Sequence, residues 1–286
     1  MARLDGRIAV VTGGAGGIGR AVAAGLARQG AAVVVVARSQ ARALAAMADI
    51  RTRVPAAELE PLACDLSLQS SIREAMAELV SRHDRVDVLV NTAGVFRKER
   101  HETAEGLELT FATNVMSYFL VTGLLLDALK KGATAAMPSR IVNIASRYGN
   151  VRLPFDDLQT ATGKYSFLRS TPPTMLARVL LTQEFAERLR GTGVVANAVH
   201  PGLVRSTGLL QDVGGPFRWI TNTLGKTADR AADTPLWLAT SPEAAAVTGK
   251  LWAKRKQLPT PGMGSDPEAR QRLWEACARL AGTDFA

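Results

Sequence analysis

Ile8-Ala9-Val10-Val11-Thr12-Gly13-Gly14-Ala15-Gly16-Gly17-Ile18-Gly19 joins an apolar run to a glycine-rich break and the start of a helical pattern. A short unbroken apolar run such as Ile8–Val11 reads as a strand buried on both faces, as in parallel sheets. The alanine-rich stretch from Ile18 to Arg28 reads as a helix that stops at Gly30, and Val33-Val34-Val35-Val36 as the next buried strand. The alternation continues through Leu62-Ala63-Cys64, a helix over about Ser70–Ser81 and a strand over Val86–Val90. A long helix is expected over about Leu107–Leu129, then a strand at Ile141–Ile144, a helix ending at Arg190 and a strand at Val194–Val199. Repeated β-α units predict a doubly wound α/β fold, a parallel sheet with helices on both faces. No short repeat or linker divides the chain, so residues 1–286 are read as one domain. The connections over 147–170 and 201–227 are long, and ligands bind at such loops beyond strand C-terminal ends; surface elaboration is the alternative.

Composition narrows the class. The chain has 286 residues, 47% of them hydrophobic and 21% charged, enough to bury a core and unlike a disordered chain. The formal charge is +9, but the basic residues are scattered along helices and the densest cluster is the short Lys254-Arg255-Lys256. Solubility explains such scatter better than a nucleic-acid partner, and none is expected. Cys64 and Cys277 lie far apart, which excludes a disulfide framework or a CxxC metal site. His83, His101 and His200 are isolated, so no metal-ligand spacing is visible. The N-terminus lacks an apolar signal core, and the longest apolar stretch, Val115–Leu126, is too short and too polar to span a bilayer. The expectation is a soluble, reduced, cytoplasmic protein without a membrane span, either a monomer or a homo-oligomer.

Glycines between a strand and a helix let backbone amides approach a pyrophosphate at the helix N-terminus. The Thr12–Gly19 spacing, with Gly13, Gly17 and Gly19, has the T-G-x-x-x-G-x-G form and resembles the short-chain dehydrogenase/reductase family. That resemblance implies a Rossmann-type sheet and a nicotinamide dinucleotide held by Gly13, Ala15, Gly16, Gly17 and Ile18. After the second strand stands Arg38, where an acidic residue would hold an unphosphorylated ribose. An arginine pairs instead with a 2′-phosphate, so NADP(H) is expected. Asp65-Leu66 resembles the family's adenine-binding turn. Asn91-Thr92-Ala93-Gly94 resembles its N-N-A-G element, which buttresses sheet and cofactor; Asn91, Ala93 and Gly94 are assigned to that role.

The likeness runs on through Phe111–Asn114, which carries the family's helix asparagine, and Arg140–Ser146, which ends in its catalytic serine. His200–Ser206 resembles the turn that closes over the cofactor, with Pro201, Gly202, Val204 and Ser206 as its contacts. Phe155-Asp156-Asp157-Leu158, Gly249-Lys250-Leu251 and Arg272-Leu273-Trp274-Glu275 resemble the retinol-dehydrogenase-like branch, which implies a lipophilic small-molecule substrate.

The departure lies in the proton machinery. Family chemistry needs a tyrosine and, four residues on, a lysine on the same helix face. Met175-Leu176-Ala177-Arg178-Val179-Leu180-Leu181-Thr182-Gln183-Glu184 resembles the branch's K-L-A-N-V-L-F-T-R-E helix. Met175 therefore takes the lysine position and Thr171 the tyrosine position. An aliphatic hydroxyl is far less acidic than a phenol, and a thioether carries neither charge nor donor. Loss of a positioned acid forfeits roughly 10²–10⁴-fold in rate. Pro172-Pro173 is expected to delay the helix start to Pro173.

Two other tyrosines are candidate substitutes. Tyr148, two residues beyond Ser146, offers a phenol to the pocket; Tyr165 and Arg169 keep a Y-x-x-x-R spacing six positions too early. Asp156, Asp157 and His200 are further polar candidates, with loop organisation the simpler role for each. Ser146, Asn114 and Tyr148 are the candidate catalytic residues. Three functions stay open: a non-redox step such as cyclisation, dehydration or isomerisation; NADPH-dependent redox chemistry with a relocated proton donor; and a non-catalytic cofactor-sensing or partner-binding subunit.

Overall fold

A computed structural model describes residues 2–205, 223, 225–260 and 262–285. The expected alternation is present: β1 (Ile8–Thr12), α1 (Gly17–Arg28), β2 (Ala32–Ala37), α2 (Gln40–Arg53), β3 (Leu59–Ala63), α3 (Gln69–Arg82) and β4 (Val88–Asn91). The second half adds α4 (Leu109–Phe111), α5 (Ser117–Leu124), α6 (Leu126–Gly132), β5 (Ser139–Ile144), α7 (Phe167–Arg188) and β6 (Val194–Val199). It closes with α8 (Ala228–Thr240), β7 (Leu251–Ala253), β8 (Lys256–Leu258) and α9 (Pro267–Ala281). The strands form one sheet in the order β3-β2-β1-β4-β5-β6-β7-β8, parallel throughout except for the final antiparallel β8.

Successive strand residues feed opposite layers, as the pleat requires. Val10, Val34, Val36, Leu89 and Ile141 pack with side chains of α3, α5, α7 and α9, whereas Val11, Val33, Val35, Val88, Val90 and Val142 pack with α1, α2 and α8. The first layer is anchored by Trp274 of α9, whose ring meets Phe119 and Phe185 edge-on at 5.0 and 4.9 Å. In the second layer α1 and α8 approach closely because position 25 is glycine; a Cβ there would lie 2.4 Å from Leu236.

Two expectations about helices change. The segment expected as one helix over Leu107–Leu129 is broken: α4 passes through a π-turn at Ala112–Met116 into α5, and α6 leaves at a 56° bend. Buried Glu108 starts it by accepting from the Thr110 and Phe111 amides at 2.8 and 2.7 Å. Secondly, α7 begins at Phe167 rather than Pro173, with the Ser166 hydroxyl accepting from the Arg169 amide at 3.4 Å. The prolines sit inside its second turn. Without N–H groups they leave unpaired only the carbonyls of Leu168 and Arg169, two exposed residues whose carbonyls water can reach. Burial of Thr171, Pro172, Thr174 and Met175 along the same helix outweighs the local preference of a residue before proline.

Candidate active site

The C-terminal ends of β1, β2, β4, β5 and β6 lie in one row, and the expected site residues follow them. At the tip of β1, Gly13 has φ of +65°, and a Cβ there would come within 3.0 Å of the Ala93 backbone. A Cβ at Gly19 would meet the Gly13 carbonyl oxygen at 2.3 Å, so the turn closes only with glycine at both places. Gly16 is the N-cap of α1 with no side-chain cap, and a Cβ there would meet nothing within 4 Å. The first turn of α1 carries no acidic residue, so its amides face open space without a competing negative group. That cradle, formed with Ala15, Gly17 and Ile18, fits a diphosphate. Arg38 follows β2, is exposed, and has no hydrogen-bond or ionic partner among the described residues.

Asp65 and Leu66 sit at the next tip. The Asp65 carboxylate accepts from the Ser67 amide at 3.0 Å and hydroxyl at 2.7 Å, and Leu66 is buried in the core. Asn91 is wholly internal: its Nδ2 donates to Thr122 at 3.1 Å and Asn143 at 2.9 Å, and its Oδ1 accepts from Thr12 at 3.4 Å. Asn143 donates to Thr182 at 2.9 Å, and Thr182 donates to the Arg178 carbonyl at 2.6 Å. A run of side-chain bonds thus ties β1, β4 and β5 to α7, the sheet-buttressing part of the expected role of Asn91.

The other half of the row is organised by a residue that sequence reading passed over. Arg178 is fully buried on α7, three residues after Met175. Its guanidinium donates to the carbonyls of Asn114 (2.7 Å), Ala93 (2.8 Å) and Ile144 (2.9 Å) and to Asn114 Oδ1 (3.0 Å). It also lies 4.1 Å from the centre of the Tyr118 ring. Gly94 makes room for it, since a Cβ there would stand 3.0 Å from the guanidinium. Burial pushes the Arg178 pKa down, against the pull of Tyr118 and Tyr148, and pushes the Tyr118 phenol up to about 12. The signal was present in the sequence: position 178 holds arginine where the branch's K-L-A-N has asparagine, on an apolar stretch of helix.

Arg178 also fixes what Asn114 can do. The Asn114 amide donates to Val95 O at 2.9 Å and Thr174 at 3.2 Å, while Oδ1 accepts from Val95 N and Arg178. Both donors and the acceptor are committed inside the protein, so Asn114 supports the site rather than polarising a substrate oxygen.

Thr171 and Met175 are 0% and 2% exposed, and the Thr171 hydroxyl is buried without a hydrogen-bond partner. Ser146 and Tyr148 are partly exposed and line one small cavity together with Arg147, Val151 and Pro172. Burial raises the Tyr148 pKa, and hydrogen bonding to Ser146 and the Arg178 charge oppose that rise. Tyr148 also lines a larger cavity of about 520 Å³, whose wall combines Val151, Pro154, Leu168, Pro172 and Pro173 with the charged Arg152, Asp157 and Arg169. The long connection over 145–166 therefore supplies one wall of that cavity and α7, which starts at Phe167, the other. Tyr165 is occupied elsewhere: its hydroxyl donates to Glu108 at 3.0 Å and lies 3.0 Å from that of Thr110. Asp157 organises its own loop through Ala161 and Thr162, which holds its carboxyl below the usual range. Pro201, Gly202 and Val204 follow β6, whereas Ser206 and most of 201–227 lie outside the described residues. Among the described residues no cluster of His, Cys, Asp and Glu is placed to hold a metal.

The short-chain dehydrogenase family model matches residues 7–162. Over 99% of this chain and 87% of the relative, the sequence is 37% identical to retinol dehydrogenase 13 of Homo sapiens. The chain belongs to the short-chain dehydrogenase family. Dehydrogenase/reductase SDR family member 13 of Homo sapiens is 38% identical over 99% of this chain and 75% of that relative. Among solved structures, an uncharacterized protein from Mycobacterium paratuberculosis superposes with a TM-score of 0.78 at 26% identity, covering 100% of this chain and 97% of that one. The NADP active-site complex of Pseudomonas aeruginosa RhlG gives 0.68 at 28% identity, over 87% of this chain and 94% of the other. Within this short-chain dehydrogenase, then, the glycine-rich turn and the buried asparagine ties coexist with an α7 that carries Thr171, Met175 and Arg178.

Proposed function

We propose that this chain binds NADP(H) and acts on a lipophilic small molecule by a step that does not use the family's tyrosine-lysine proton delivery. The observation that carries this is the burial of Thr171 and Met175 in a continuous α7, seven and three residues ahead of an Arg178 already bonded to its surroundings. Neither side chain supplies a phenolic proton or a cation to a ribose. The step that fits is non-redox: cyclisation, dehydration or isomerisation.

The cradle at Gly13–Ile18 and the solitary Arg38 support NADP(H) as the dinucleotide. When bound, a reduced nicotinamide supplies a hydride donor. The chain's own residues act on the substrate oxygen. Ser146 donates a hydrogen bond to it, Tyr148 offers a second donor, and the two hold charge that develops there. The buried guanidinium of Arg178 keeps the Ala93–Gly94 turn and the Ile144 carbonyl in place and favours a polarised Tyr148 hydroxyl. The retinol dehydrogenase relatives support a lipophilic substrate, as do the apolar Val151, Leu168, Pro172 and Pro173, which share the wall of the cavity beside Tyr148 with Arg152, Asp157 and Arg169. A reduced cytoplasmic setting is consistent with two buried, unpaired cysteines.

A second reading, NADPH-dependent reduction with Tyr148 as relocated proton donor, is favoured by the place of that phenol beside Ser146. Absorbance of the reduced nicotinamide separates the two during turnover of lipophilic ketones, quinones and enones. Conversion without loss of absorbance supports the non-redox step; stoichiometric loss refutes it.

A further inference from the structure

Beyond the tips of β5 and β6 stands a group of basic side chains that neither the sheet nor the cofactor cradle uses. Ile144 pairs with Val199, and the Ala145 amide donates to the Val199 carbonyl at 2.9 Å, so Arg147 and His200 leave adjacent strand ends. Lys226 is brought back to them by a parallel bridge to Val204: its amide donates to Leu203 O at 2.9 Å and its carbonyl accepts from Arg205 N at 3.0 Å. Its ammonium lies over Gly202, 3.6 Å from where a Cβ at that residue would stand. His200 feels both neighbours, since burial first and then the charges of Lys226 and Arg147 push its pKa down.

Among the described residues none of these groups has a counter-charge. Among the described residues Arg147 and Lys226 make no ion pair or side-chain hydrogen bond, and His200 Nδ1 is buried without a partner. Several basic residues elsewhere in the chain are paired, as in Arg7–Asp87, Arg188–Glu184 and Arg270–Glu184. Gathering like charges without an acid is unfavourable, and an anionic ligand offsets it. That ligand is not the diphosphate at α1: β1 is three strands from β6 in the sheet order, about 14 Å at the usual strand spacing. It belongs instead to the substrate end, because Arg147 lines the same small cavity as Ser146 and Tyr148, which shares Tyr148, Val151 and Pro172 with the larger one.

We propose that Arg147, Lys226 and the His200 imidazole hold the carboxylate of an amphipathic acid whose reacting oxygen sits at Ser146 and whose apolar remainder fills the 520 Å³ cavity. This rests on the lipophilic-substrate reading above and narrows it to acids. The test is isothermal titration of the full chain, with NADPH present, against dodecanoate and dodecanol below their aggregation limits. The acid binds roughly tenfold or more tightly than the alcohol, as charge-assisted hydrogen bonds predict. Lys226→Met and Arg147→Met each erase most of that preference, Lys226→Arg restores it, and Lys131→Met on exposed α6 leaves it intact. Equal affinity for acid and alcohol overturns the carboxylate site and spares the lipophilic reading. Binding of neither probe overturns both. A Lys226→Met variant that loses NADPH affinity while keeping its acid preference assigns the cluster to the dinucleotide and overturns the proposal.

Discussion

At the tips of β1 and β2 the groups that face a ligand are backbone amides and one unpartnered arginine. At the tips of β4 and β5, and on α7, they are side chains already bonded to one another. The first region depends on shape: Gly13 and Gly19 are required because a Cβ at either would strike backbone atoms. The second depends on the chemistry of two positions, 171 and 175, and neither carries an ionisable group. A site made of backbone survives drift in its neighbours, whereas proton delivery by a phenol and an ammonium does not. The positive charge has not vanished from α7, however. Arg178 carries one, and it meets carbonyls and one amide oxygen.

The largest expected effect breaks the side-chain region alone. Arg178→Met leaves a set of buried carbonyls without their donor and should lower stability by about 3–5 kcal/mol. Urea denaturation followed by circular dichroism reads this; a loss under about 1 kcal/mol would show that the guanidinium is not the tie described. Gly19→Ala breaks the backbone region instead, because its Cβ meets the Gly13 carbonyl. NADPH affinity should fall roughly 100-fold in calorimetry, with Ser146 and Tyr148 untouched.

Arg38→Asp should shift the NADPH-to-NADH affinity ratio roughly 10-fold or more toward NADH, by removing a charge-assisted contact. A ratio unchanged in calorimetric titration removes the argument for the phosphorylated dinucleotide. The smallest effect concerns pH. Burial raises the Tyr148 pKa above that of a free phenol, so its hydroxyl stays protonated through neutral and mildly alkaline conditions. Conversion should therefore be level in this limb through neutral and mildly alkaline conditions and fall only as the phenol ionises, at higher pH than a free phenol would. Tyr148→Phe should abolish that alkaline limb; a limb unchanged in the variant assigns it to another group.

Much of the fold was legible because strand and helix periods change at glycines: Ile8–Thr12 into Gly13–Gly19, then Val33–Val36. Helix α2 was harder, since its buried positions Ala43, Ala46, Met47 and Ile50 are half alanine and its outer face is arginine-rich. The start of α7 was misjudged because Pro172 and Pro173 speak for local geometry, while the burial that carries the helix back to Phe167 is tertiary. The bend after Leu124 likewise leaves no proline or glycine pair as a marker. In the site, the assignment of Thr171 and Met175 to the tyrosine and lysine positions rests on sequence register, and the structure adds their burial on α7. The engagement of Asn114 could not be read from the sequence, because it depends on where α7 places a guanidinium relative to a π-turn distant in sequence.

The most direct test is single-turnover absorbance at the reduced-nicotinamide band, with the NADPH-loaded protein mixed with lipophilic aldehydes and ketones. A cofactor cradle kept without proton delivery predicts saturable NADPH binding and no oxidation of the bound nucleotide by any of them. Rapid stoichiometric oxidation by the unaltered chain, abolished by Ser146→Ala, would contradict it.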